Sequence, residues 1–296
     1  MPVFNWLSNM SLPAGKSPFD ILEVRFKNGR KAFFKNKNNL NVHMGDSVAV
    51  EVTSGHDIGV VSLKGELVRL QMRKKKVKID SEEIKTLYRH ATPLDLEKWE
   101  VAKNREIKTM YRAREIASNL NLDMKIGDVE FQGDNTKAIF YYTSNGRVDF
   151  RELIKQMADE FKIRIEMRQI GVRQEAQRMG GIGSCGRELC CSSWLNDFRS
   201  VSTSAARYQQ LSLNPQKLAG QCGKLKCCLN YELDMYVEAI KDFPKSNVKL
   251  KTKKGDAFMQ KMDIFRRKVW YSYSSEPSSF IELQLDKVQE IIFENK

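Results

Sequence analysis

No apolar run in this 296-residue sequence approaches the roughly 18 residues that a membrane-crossing helix needs; Ala138–Tyr142 is among the longest. Met1 to Ser11 carry neither a basic leader nor a continuous apolar stretch, so they do not read as a secretory signal. Membrane insertion and export are therefore disfavoured, and a cytoplasmic location is expected. Histidine is scarce: His43, His56 and His90 all lie in the first third of the chain. A P-loop is missing, because Gly186 is followed by Arg187-Glu188 instead of Lys-Ser/Thr. Acidic charge is in deficit, with 37 Asp+Glu against 50 Lys+Arg, a net charge of +13 and a pI near 9.4. Cysteine is missing from everything outside Cys185–Cys228, where all six fall. Cysteines kept as small hydrophobes would be scattered over several cores. Without an export signal, three disulfides are a poor reading of an even count.

Hydrophobic residues make up 41% and charged residues 29%, enough to build cores and too apolar for a disordered chain. The length suggests two or three domains, and the pattern is α+β. Residues 1–80 read as a small β-barrel-like unit, an open barrel of short strands. Val24–Lys27 and Lys31–Phe34 flank an Asn28-Gly29 hairpin turn, and Ser47–Val52 and Ile58–Leu63 follow as strands. The unit closes on the basic run Arg73–Lys78. Residues 81–121 read as a helical connector: Thr92 caps, Pro93 opens, Asp95 completes a capping-box pattern, and apolar residues recur at helical spacing to about Asn121.

Residues 122–244 read as an α/β, cysteine-rich domain. Val129–Phe131 and Lys137–Tyr142 are a strand pair. Asp149 caps a helix whose apolar face is Phe150, Leu153, Ile154, Met157, Ala158 and Phe161, and Ile163, Ile165 and Met167 alternate as a strand. This β-β-α-β order resembles part of a split βαβ sandwich. Residues 245–296 read as a basic C-terminal β unit, with strands at Ala257–Asp263 and Val269–Tyr273 and room for a short terminal helix.

Within the cysteine segment lies a repeat. Gly183-Ser184-Cys185-Gly186-Arg187-Glu188-Leu189-Cys190-Cys191 aligns with Gly220-Gln221-Cys222-Gly223-Lys224-Leu225-Lys226-Cys227-Cys228. Each copy is G-x-C-G-x-x-x-C-C, a duplicated CGxxxCC loop. Glycine at these positions lets the backbone pass close to whatever the sulfurs hold. Two such loops can supply four thiolates to one centre, which suits Zn²⁺ or a [4Fe–4S] cluster over hard cations. Six thiols exceed the need of one centre, so the surplus can serve a second cluster or one shared with a partner. Arg187, Lys224 and Lys226 offset thiolate charge. Gly181 to Gly186 also satisfies G-x-G-x-x-G, but the preceding Arg173–Met179 is polar and helix-like, which excludes a dinucleotide fingerprint.

These residues carry a family resemblance. Gln169–Arg173, Gly180–Arg187, Leu189-Cys190-Cys191, Leu195–Phe198, Leu211–Pro215 and Leu218–Cys228 form an ordered series that resembles the RicT/YaaT family, whose members share the polymerase-suppressor C-terminal domain. Gly146–Arg151 and the Val24–Val61 region are similar as well. The resemblance covers roughly residues 20–245 and, more weakly, the tail. It implies a non-catalytic, cytoplasmic regulatory subunit. Such a subunit joins two small helical partner subunits in a complex carrying [4Fe–4S] clusters, which directs ribonuclease Y in mRNA maturation and is linked to developmental regulation. It also implies cluster ligands at Cys185, Cys190, Cys191, Cys222, Cys227 and Cys228, with ligation shared with a partner.

The basic runs Arg73–Lys78, Lys245–Lys254 and Arg266-Arg267-Lys268 read either as an RNA footprint or as solvated faces. Trp270, Tyr271 and Tyr273 are candidates for stacking on bases. The competing function is a zinc-stabilised nucleic-acid-binding protein. An enzyme is disfavoured, since no histidine lies near the thiols in sequence to activate them.

Overall fold

The computed structural model describes residues 19–195, 198–245 and 247–295. The reading of Met1–Ser11, and the Asn196-Asp197 part of the resemblance, lie outside them. Two compact units divide the chain, Met1–Leu195 and Asn196–Lys296, and both mix helices with sheet.

The first unit begins with the expected hairpin of β1 (Ile21–Arg25) and β2 (Lys31–Lys35). Asn28 and Gly29 take φ of 53° and 73°, values for which Asn and Gly are the favoured residues. Next come β3 (Ser47–Glu51), β4 (His56–Leu63), α1 (Glu66–Lys74) and β5 (Lys85–His90). The strands form a closed barrel in the order β1-β2-β5-β3-β4, not the open one expected. β5 closes it by pairing parallel to β2 and antiparallel to β3. Its sequence, KTLYRH, buries only Leu87, so it lacks the alternation that marks a strand. Val24, Val48, Val50, Val61 and Leu87 fill the barrel. The helix α1 was also invisible beside its basic end; Val68 and Met72 seat it on Ile21, Phe33 and Leu63.

The helix α2 (Pro93–Asn119) starts with the expected capping box: Thr92 N–H donates to Asp95 Oδ2 at 2.9 Å, and Asp95 N–H donates to Thr92 Oγ1 at 3.3 Å. Arg89 also binds Asp95 and holds its carboxyl well below the usual carboxylate range. Next come β6 (Lys125–Phe131), β7 (Lys137–Thr143), α3 (Arg151–Phe161) and β8 (Arg164–Gln169). β6 and β7 pair antiparallel, and β8 joins β7 in parallel, which needs the α3 crossover. Phe150 stands at the boundary position of α3 without a side-chain cap; the capping hydrogen bond comes, as expected, from Asp149, whose Oδ1 accepts the Arg151 N–H at 3.1 Å. Small residues of α2 (Ala102, Ala113, Ala117) let it lie close on the sheet, and Leu153 and Met157 seal the core from α3. Burying each of the latter contributes about 1.5–3 kcal/mol. The unit ends with α4 (Val172–Met179) and α5 (Cys190–Ser193).

The second unit opens with short helices: α6 (Thr203–Tyr208), α7 (Pro215–Leu218), α8 (Cys227–Tyr231) and α9 (Leu233–Ile240). An antiparallel sheet follows, built from β9 (Leu250–Thr252), β10 (Gly255–Asp263), β11 (Lys268–Tyr273) and β12 (Glu276–Gln284), with α10 (Leu285–Glu294) last. The strand order is β12-β11-β10-β9. Leu250, Ala257, Val269 and Tyr271 pack against Leu285 and Val288 of α10. Among the described residues, no helix is long and apolar enough to cross a membrane.

Candidate functional site

Each cysteine loop is a tight knuckle. In the first, Gly186 N–H donates to Gly183 C=O at 2.9 Å, turning the chain through Ser184-Cys185. Gly183 N–H donates to Arg187 C=O at 2.8 Å, Ile182 bridges Glu188, and Leu189 N–H reaches Gly181 C=O at 3.1 Å. Gly186 has φ of 77°, the left-handed region that favours glycine. Cys190 and Cys191 then open α5.

In the second, Gly223 N–H donates to Gly220 C=O at 2.9 Å and Gly220 N–H to Lys224 C=O at 2.8 Å. Ala219 bridges Leu225, Lys226 N–H reaches Leu218 C=O at 2.9 Å, Gly223 has φ of 74°, and Cys227 and Cys228 open α8. A methyl group added to Gly183 would stand 3.4 Å from Cys185 Sγ, and one on Gly220 would stand 3.8 Å from Cys222 Sγ. Each leading sulfur is thus folded back over a bare stretch of backbone.

All six cysteines are thiols; Cys185 is exposed, Cys191 is buried, and the other four lie between. Cys185 sits in the turn of the first knuckle and Cys190 and Cys191 at the start of α5; Cys222, Cys227 and Cys228 hold the corresponding backbone positions in the second unit. Sulfur is the right donor for Zn²⁺ or an iron–sulfur cluster, so the donor chemistry fits. Among the described residues no group of three or more His, Cys, Asp or Glu stands ready to hold a metal ion.

What holds the first knuckle in place was not visible in the sequence. The helix α4 leads into it, and Arg178 of α4 donates to Asp128 Oδ2 at 2.7 Å, approaches Glu130 at 3.7 Å and lies 3.4 Å over the Tyr141 ring. Tyr141 Oη donates to Glu130 Oε2 at 2.8 Å. From the barrel side, Arg30 pairs with Glu130 at 2.8 Å and with Asp57 at 3.1 Å, while Lys27 pairs with Asp128 at 2.7 Å and with Glu106 at 2.8 Å. Burial pushes the Asp57 and Glu106 carboxyls up against the pull of these cations. Burial, then the Glu130 charge, pushes the Tyr141 phenol up to about 12. A sequence signal did exist: Asp128 and Glu130 alternate with apolar Val129 and Phe131 on β6, which aims two acids at the sheet face that α4 covers. Their partners lie elsewhere in the sequence, so the pairing could not be read.

The 146–151 motif lines an open cleft with Tyr142 and Gln169. In the basic run Arg73–Lys78, Lys75 stands 3.8 Å from the buried carboxylate of Glu23, which Lys31 binds at 2.8 Å. Part of the positive charge therefore balances acids inside the fold.

Three family descriptions match in order along the chain: the PSP1 C-terminal conserved region over residues 85–170, the PSP1-like protein third domain over 200–243, and the YaaT C-terminal domain over 251–296. The stage 0 sporulation protein YaaT of Bacillus subtilis (strain 168) is 40% identical over 254 residues, covering 84% of this chain and 88% of that protein. The chain belongs to the YaaT family. An uncharacterized protein of Schizosaccharomyces pombe (strain 972) is 26% identical over 186 residues, 55% of this chain but 25% of its own length. No solved structure matches. For this YaaT-family chain, the third-domain match encloses the second knuckle, while the first lies between the two PSP1 matches.

Proposed function

We propose that the chain is a non-catalytic regulatory subunit that carries iron–sulfur chemistry, a [4Fe–4S] cluster, in a cytoplasmic complex with small helical partner subunits. In this reading the complex modulates RNA processing, acting on mRNA maturation through ribonuclease Y, and takes part in developmental regulation. The observation that carries it is the pair of knuckles: six thiols, three in each, on two backbones with the same hydrogen bonds and the same left-handed glycine. Cys185, Cys190, Cys191, Cys222, Cys227 and Cys228 are the proposed ligands. The resident cluster would supply redox or structural sensing, and the chain's own residues position the sulfurs. Membership of a family whose Bacillus subtilis relative is named for stage 0 of sporulation supports the developmental part.

Anaerobic reconstitution of the full chain with iron and sulfide tests this. The expected product is brown, with charge-transfer absorption and about four or more irons per chain, lost in Cys190→Ser and Cys227→Ser. A colourless protein that takes up stoichiometric zinc and rejects iron would overturn the cluster and favour a zinc-stabilised module.

A further inference from the structure

The C-terminal sheet is finished on one face only. Strand alternation sends Leu250, Ala257, Val269 and Tyr271 to the α10 side. Tyr271 is 1% exposed, so of the aromatic candidates near residue 270 it is withdrawn into the core. The other face carries Phe258, Trp270 and Phe280, one on each of three neighbouring strands. Phe258 pairs across with Ser272, and Trp270 pairs with Lys261 on one side and Glu282 on the other. The exposed–covered alternation along Phe280–Gln284 places Phe280 with Glu282, and Phe280 is 60% exposed.

The setting of these rings is polar, and two of them lie under a lysine. Lys249 Nζ stands 4.8 Å above the Phe258 ring, and Lys261 Nζ stands 5.5 Å above Trp270. Gln260 donates to the Ser272 hydroxyl at 2.9 Å between them. Three acids share this face by the same alternation: Glu282 is bound by Lys268, Asp263 accepts the Phe265 and Arg266 N–H groups, and Asp256 lies opposite Lys251. Residues 245–284, which build the sheet and its loops, hold nine Lys or Arg against four Asp or Glu, whereas α10 holds three acids and one lysine.

We propose that this open face binds single-stranded RNA. Phe258, Trp270 and Phe280 are stacking platforms for unpaired bases, and Lys249 and Lys261 swing from the ring faces to the phosphates that stacked nucleotides bring. An apolar protein surface would ask for a continuous greasy patch; here each ring is set apart by lysine, glutamine, serine or glutamate. A ligand offering flat π faces at intervals, joined by negative charge, matches that spacing of rings and cations. The bases must be unpaired, because a duplex hides their faces. The choice of RNA over DNA rests on the proposed RNA-processing role; the platform itself does not.

The test is fluorescence anisotropy of an about 12-nucleotide labelled single-stranded RNA with the full-length protein, titrated with salt from about 50 to 200 mM. Trp270→Ala and Phe280→Ser each weaken binding by about tenfold, and the double change Lys249→Gln, Lys261→Gln flattens the salt dependence. Phe280 stands out in solvent, so its variant keeps the parent melting temperature and separates binding from folding. Unchanged affinity in both aromatic variants overturns the proposal. So does equal affinity of the parent protein for duplex RNA, which would mean charge alone, or capture of a protein partner with no RNA binding at any salt. Tighter binding of single-stranded DNA overturns the assignment to RNA. Iron content is read on the same samples: Cys190→Ser loses iron and keeps RNA affinity, so failure of the cluster reading and failure of this one leave different traces.

Discussion

The two cysteine knuckles share a backbone and differ in what they stand on. The first hangs from α4, which is pinned by Arg178 to acids fifty residues away on β6. The second is held by its own neighbourhood: Leu218 before the loop and Leu229 after it pack with Ala205 and Ala206, and Gln209 donates to Leu229 C=O at 2.6 Å. The shape of the loop is therefore local, written in glycine and cysteine spacing. Its anchorage is not, since one copy uses paired charges inside a mixed α/β layer and the other uses a small apolar cluster. A loop fixed by charge responds to pH and salt, and one fixed by packing responds to volume.

Changing volume in the second anchor should have the largest effect. Leu229 is 3% exposed, and Leu229→Ala removes its side chain from a cluster too small to repack, at a cost of about 3 kcal/mol. Hydrogen exchange read peptide by peptide should then quicken over 215–232 and stay at parent rates over 180–195. The reciprocal change, Arg178→Met, leaves Asp128 and Glu130 short of a cation; because Lys27 and Arg30 remain beside them, the expected cost is about 2 kcal/mol, below that of stripping a buried pair of its only partner. Here 180–195 should loosen and 215–232 should not. If either variant loosened both loops alike, the two anchorages would not be independent.

What the sequence showed and what it hid follow the same division. The capping box at Thr92 and Asp95, the Asn28-Gly29 hairpin and the β-β-α-β order were legible because each is fixed by residues a few positions apart. The glycine turns at Gly186 and Gly223 are local in the same way. β5 was hidden, since a polar strand with one buried leucine is recognised only by its neighbours. Asp149 was legible as the side chain that satisfies the first turn of α3, with Glu152 three residues on, and only the helix boundary at Phe150 departs from that pattern. Tyr271 and Trp270, adjacent in sequence, have opposite fates because α10 covers only one sheet face. The charge excess divides likewise: Lys75 and Lys31 neutralise Glu23 inside the first unit, while Lys249 and Lys261 remain on an open face.

If the loop shape is local, the same change should act equally in both copies. Nothing lies within 4 Å of a methyl group placed on Gly186 or Gly223, so Ala at either position meets no steric obstacle and pays only for its left-handed backbone, about 1 kcal/mol. Gly186→Ala and Gly223→Ala should therefore lower stability by matching amounts in urea denaturation and weaken metal retention to the same degree. A large difference between them would mean that one loop is held by contacts outside its own turn.

The smallest expected effect isolates the charge-based anchor by pH. Tyr141 keeps its proton up to about 12 in the folded chain against 10.0 for an ordinary tyrosine. Its folded value is raised, so the stability it contributes is fully present below about pH 10 and is lost as pH climbs toward 12, where the unfolded chain gains by releasing the proton first. Tyr141→Phe removes both the ionisation and the hydrogen bond to Glu130. Near pH 8 the variant should be less stable by about 1 kcal/mol, and near pH 11 the gap to the parent should shrink, because the parent alone carries this alkaline penalty. Urea midpoints followed by far-ultraviolet circular dichroism at the two pH values measure it; a gap that stayed constant would show that the Tyr141 proton plays no part in holding α4 and the first knuckle.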